Sequence, residues 1–167
     1  MYPVHDIDAQ LLLATLIAAK RRPAELADIV AAAEFLGCPV SAPRAWADAL
    51  RRATSHGLIL ATETAAGPTW SLSPAAQTLS QGLPKKAETA ERVFLVREKL
   101  AAYTPAAQSA EVSVSEEQFN EALKAHAALA AQGGKNLLMP KPKAEPEDAR
   151  RRGPGGKRPF GGERRRG

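Results

Sequence analysis

Proline and glycine divide the first 84 residues into intervals that only short helices and one hairpin can fill. The breaks fall at Pro23, Gly37 with Pro39, Pro43, Gly57, Gly67-Pro68, Pro74, and Gly82 with Pro84. Proline lacks the amide hydrogen that a helix interior needs and pushes the residue before it out of the helical region. Glycine is favoured just past a helix C-terminus. Each interval carries its own periodicity. Ile7, Leu11, Ala14 and Ala18 recur at helical spacing, widened by Leu12, Leu13, Leu16 and Ile17, with Asp6 placed as a cap. A helix this apolar belongs at the centre of a core. Pro23 suits the first turn of a second helix, with Glu25 near its positive end and Leu26, Ile29, Val30, Ala33 and Leu36 on one face. Ser41 and Pro43 open a third helix that runs to about His56, with Trp46, Ala49, Leu50 and Ala53 as its apolar stripe.

Leu58 to Thr62 then reads as a strand, Glu63 to Pro68 as a turn, and Thr69 to Ser73 alternates with Trp70 and Leu72 facing one way. Ser73-Pro74 starts a further short helix from Ala75 to Gln81. Three features of this order carry a resemblance. They are the third-helix ending "ALRRATSHGLI", the second strand running into a helix as "TWSLSPAAQTL", and the spacing between the two. Over residues 7–82 the chain resembles the winged-helix (winged helix-turn-helix) family of bacterial regulators, with Ser73 where that family usually has threonine and Gln77 near its glycine. The resemblance implies a mainly α fold of three helices and a two-stranded β-hairpin, filling a domain over residues 1–84.

Residues 85–132 read as accessory helices. Between Lys86 and Tyr103, Val93, Val96, Leu100 and Tyr103 form a seam lasting under two heptads, which suits either packing on the core or pairing with a second copy as a homodimer. Val112 and Val114 alternate with polar neighbours. Ser115-Glu116-Glu117-Gln118 is a capping-box pattern opening a helix with Phe119, Ala122, Leu123 and His126 inward, closed by Gly133-Gly134. Residues 133–167 are dominated by Pro, Gly, Lys and Arg. Leu137, Leu138 and Met139 are the one apolar cluster there and suit a short docking motif; Phe160 is the one aromatic. Such a segment buries too little apolar area to offset the entropy of ordering, so a disordered basic tail is expected.

Charge follows the same division. Residues 1–134 hold 12 Lys and Arg against 14 Asp and Glu, a net of −2, whereas residues 135–167 hold 11 against 4, a net of +7. Electrostatic attraction to a polyanion must therefore be argued separately for the two parts. Apolar residues make up 44% of the chain but are largely alanine, and aromatics only 5%, so a small core must rest on a few larger side chains.

No catalytic signature emerges. His5, His56 and His126 lack metal-ligand spacing, and His56 sits where an imidazole can meet the last carbonyls of a helix. Gly155-Gly156 and Gly161-Gly162 have no strand or helix around them, unlike a phosphate-cradling loop. Cys38 is the single cysteine, which excludes an internal disulfide and suits a small filler. The apolar run Leu11 to Ala19 is too short to span a bilayer and lacks a basic lead-in. The expectation is a cytoplasmic, non-enzymatic protein that needs neither metal nor organic cofactor and does not bind membranes.

Nucleic acid is the expected partner, DNA ahead of RNA. In the family it resembles, the third helix enters the major groove and the wing touches the adjacent backbone. The outer side of that helix would carry Arg44, Ala47, Asp48, Arg51, Arg52 and Ser55, with Arg44 and Arg51 as base or phosphate contacts and Arg52 flanking. Lys20, Arg21 and Arg22 would add phosphate contacts. In the tail, Arg150, Arg151, Arg152, Lys157, Arg158, Arg164, Arg165 and Arg166 are set among glycines, which suits salt-sensitive phosphate tracking without sequence readout. Opposing this, Asp48 lies mid-face, and residues 58–73 contain Glu63 but no Lys or Arg. A winged-helix adaptor that binds protein, with a nucleic-acid-associating tail, is the second expectation.

Overall fold

The computed structural model describes residues 3–65, 67–84, 86–105 and 112–131. These form six helices and a two-stranded antiparallel hairpin around one core. The expected tail begins outside the described residues.

Helix α1 (Asp6–Ala18) is the hub: Ala9, Leu11, Leu12, Leu13 and Ala14 are all buried, and α1 touches every later element except β1 and α6 extensively. A helix that is apolar on nearly all sides is stable only when enclosed. Its cap is His5 rather than Asp6, because Asp8, in the first turn, reaches back to accept the His5 amide at 2.9 Å.

Helix α2 (Leu26–Phe35) begins later than Pro23 suggested. Ala24 is extended instead, donating its amide to Trp70 O at 2.8 Å and accepting the Trp70 amide at 2.7 Å. Tertiary pairing there supersedes the helix start, and Glu25 becomes the cap. Gly37, at φ 74°, provides the left-handed turn that ends the segment.

Helix α3 (Pro43–Ser55) buries Trp46, Ala49, Leu50 and Ala53, the spacing read from the sequence; Ala42 rather than Ser41 is its cap residue. Gly57 (φ 66°) turns the chain so that Leu58 donates to Ala53 O, and Leu58 enters the core. Strands β1 (Ile59–Thr64) and β2 (Gly67–Leu72) pair in the register Ile59 with Leu72, Ala61 with Trp70 and Thr64 with Gly67. The turn is therefore tighter than the six residues expected. Trp70 and Leu72 both face the core.

Helix α4 (Pro74–Ser80) is capped by Ser73, whose buried hydroxyl accepts the Ala76 amide at 3.2 Å. Ser73→Ala should cost about 1 kcal/mol, as N-cap removals do; equilibrium unfolding in urea measures it. Helix α5 (Thr89–Ala102) lays Val93, Val96 and Leu100 on α1, so the short seam is internal to the chain.

Helix α6 (Glu116–Ala131) opens with the capping box that the sequence carries: Ser115 N–H donates to Gln118 Oε1 at 2.9 Å, and Gln118 N–H to Ser115 Oγ at 3.3 Å. It covers one flank of α2 and α3, and Phe119 is fully buried there. Just before it, the Val112 amide donates to Thr54 Oγ1 at 3.3 Å. At the other end, His126 Nδ1 lies 3.3 Å from the Glu34 carboxylate. Helix α6 thus runs from the end of α3 toward the end of α2.

Candidate nucleic-acid interface

Only a narrow stripe of α3 faces solvent. Arg44 and Arg51 are exposed, with Asp48 and Ser55 half-buried between and beyond them, spaced as one helical face. Arg51 Nη2 lies 3.2 Å from Asp48 Oδ1, an ion pair that spends part of the cationic charge on its own helix. Ser55 Oγ donates to Arg52 O at 2.9 Å, and His56 Nδ1 lies 2.9 Å from the same carbonyl, so both serve the helix end.

Two residues expected on this face are elsewhere. Ala47 is 8% exposed, on a helix whose flank α6 covers. Arg52 turns into the protein: its side chain is 12% exposed, and its Nε and Nη2 donate to Asp8 Oδ1 at 3.0 and 2.7 Å. Asp8 itself is 1% exposed, and its second oxygen takes the His5 amide. A carboxylate so enclosed requires a cation, and Arg52 supplies one. The pair ties α3 to the start of α1, a placement that the position of Arg52 among outward-facing residues did not reveal.

Lys20, Arg21 and Arg22 are exposed in the turn after α1. Arg22 pairs with Asp28 at 2.9 Å and approaches Glu25 at 3.9 Å. This turn follows the end of α1, whereas the Asp8–Arg52 pair marks its beginning; from Asp8 to Ala18 the helix axis rises about 15 Å. The Lys20–Arg22 turn and Arg52 therefore lie at opposite ends of α1. Lys20 instead borders a cleft of about 400 Å3 with Ser71, Ser80 and Gln81. On the hairpin, Leu60, Thr62, Glu63 and Thr64 are exposed, and no cation accompanies them. The tail positions Arg150, Arg151, Arg152, Lys157, Arg158, Arg164, Arg165 and Arg166 lie outside the described residues.

Two further lysine and arginine roles carried no sequence signal. Lys99 Nζ donates to Leu79 O at 2.8 Å and Gln81 O at 2.7 Å, closing the end of α4. Arg97 Nη1 bonds Asp6 Oδ1 at 2.7 Å, across 91 residues of sequence. Among the described residues, no group of three His, Cys, Asp or Glu side chains is placed to hold a metal ion, and no helix is long and apolar enough to cross a membrane. Comparison of the chain with protein-family models, with curated proteins and with solved structures found no match.

Proposed function

We propose that this chain is a winged-helix DNA-binding protein, acting as a transcriptional regulator, in which the basic tail supplies most of the affinity and α3 a small area of direct contact. The charge partition carries the proposal: a net of +7 is concentrated in residues 135–167, against −2 in the rest. A polycationic segment gains from counterion release on any phosphate backbone. The order of three helices and a hairpin supports the winged-helix assignment, as does the Ala24–Trp70 bridge, which adds one residue of a third strand to the hairpin. The α3 stripe supports a contact surface of two arginines, Arg44 and Arg51, rather than the wider face the sequence suggested.

The test is fluorescence anisotropy with labelled duplex DNA, comparing the full chain with Arg44→Ala/Arg51→Ala across a salt series. Loss of two phosphate contacts is expected to lower the slope of log affinity on log salt by about 2 and to weaken binding roughly fivefold or more near 0.1 M salt. An unchanged slope would remove α3 from the interface and leave the tail alone. Absence of binding by the full chain at low salt, on duplex DNA and single-stranded RNA alike, would favour the adaptor role. One observation favours that second role: α6 shields a flank of α3 that a groove-entering helix would otherwise leave open.

A further inference from the structure

A cleft of about 390 Å3 opens between the start of α1 and α5, lined by Gln10, Cys38, Val93 and Phe94, with Asp6 and Arg97 at its rim. Phe94 is 48% exposed although Val93, Val96 and Leu100 of the same helix are buried. The Arg97 guanidinium lies over its ring, 5.5 Å from the centroid, and is held there by Asp6. The ring is thus braced in an outward position by a cation and an ion pair. Glu91 and Glu98, both exposed, stand about one turn to either side of Phe94 on α5. The cleft has an apolar centre, a rim where Asp6 and Arg97 offset each other's charge, and two carboxylates on α5 beyond that rim.

We propose that this cleft is the docking site of the chain's own segment Lys135–Lys143, with Leu137, Leu138 and Met139 covering Phe94, Val93 and Cys38. Reach supports this occupant. Helix α6 comes alongside the end of α2 where His126 meets Glu34, and Cys38, on the cleft wall, follows Glu34 by four residues. The described chain ends five residues after His126, at Ala131. The six to eight further residues to Leu137 and Met139 span up to about 20–27 Å when extended. Composition supports it too. Leu137-Leu138-Met139 is the one apolar cluster beyond α6, matching the apolar centre of the cleft. Lys135, Lys141 and Lys143 flank it, where Glu91 and Glu98 stand exposed beyond a rim whose own charges, Asp6 and Arg97, are paired. Arg150 follows Met139 by eleven residues, so docking leaves the arginine clusters available for phosphate.

Cys38 gives the test, because it is the single cysteine and lines the cleft. Partial burial raises its thiol pKa, and its reaction with a disulfide reagent reports on access to the cleft. The full chain is compared with the full-length variant Leu137→Ser/Leu138→Ser/Met139→Ser, reacting each with dithiobis(nitrobenzoate). The substitutions alter none of the described residues. The variant is expected to react about fivefold faster or more, with a ratio independent of protein concentration, as a tethered occupant requires. Equal rates would overturn the proposal. Protection that appears only as protein concentration rises would assign the cleft to the tail of a second copy and overturn docking of the chain's own tail.

Discussion

Replacing Arg52 with alanine is expected to destabilise the protein by about 3–5 kcal/mol, the usual consequence of removing one partner of a buried ion pair. The size comes from the group that loses its partner. Asp8 is 1% exposed and would keep only the His5 amide as a donor, so its charge would stay enclosed without a counterion. A loss of that order is a large share of the stability of a domain this size and should lower the urea midpoint by about 2 M. Arg52→Lys should recover only part of it, since a lysine offers one ammonium where Arg52 directs Nε and Nη2 to the same carboxylate oxygen. Asp8→Asn/Arg52→Leu removes both charges and should be milder than Arg52→Ala alone. If Arg52→Ala left the urea midpoint in place and instead lowered DNA affinity, Arg52 would belong to the interface and not to the α1–α3 contact.

Replacing Arg150, Arg151, Arg152, Arg164, Arg165 and Arg166 with glutamine should lower duplex affinity by about 100-fold or more near 0.1 M salt. The slope of log affinity on log salt should fall by about 5, close to 0.9 per lost phosphate contact. The substitutions take residues 135–167 from a net of +7 to +1 and alter none of the described residues. The urea midpoint should accordingly be unchanged. The loss should be similar on unrelated duplex sequences if, as proposed, these arginine triplets meet the phosphate backbone, whose contacts carry no sequence information. A fall of less than about threefold would move the affinity back to the folded part and oblige α3 and the Lys20–Arg22 turn to supply it.

Much of the fold was written in local signals. Gly57 ends α3 because the turn to Leu58 needs a left-handed residue, Ser73 caps α4, and Ser115 with Gln118 opens α6; each acts within four residues of itself. The stripe Trp46, Ala49, Leu50, Ala53 was legible for the same reason. Features that could not be read depended on partners distant in sequence. Ala24 is extended because Trp70, 46 residues on, takes both its hydrogen bonds. Arg52 looks like a surface residue until Asp8, 44 residues away, is beside it. A trace of the second case was present: Asp8 shares a helix face with Leu11, Leu12 and Thr15, and a carboxylate among such neighbours needs a cation. Which of the chain's many cations would serve was not legible. Nor was the seat of α6, since an alanine-rich helix with one phenylalanine has no pattern that selects α2 and α3 as its neighbours.

Phe119 stands in the same core as Trp46 and Leu11, although it arrives on the last helix, and Val114 is buried just before it. The helices after Gly82 are therefore structural members and not trimmings. A chain ended near residue 84 would keep every element of the recognisable pattern, yet it would bare the flank of α2 and α3 and the face of α1 that Val93, Val96 and Leu100 cover. The smallest block that keeps this core intact on transfer to another protein therefore has to carry α1 through α6.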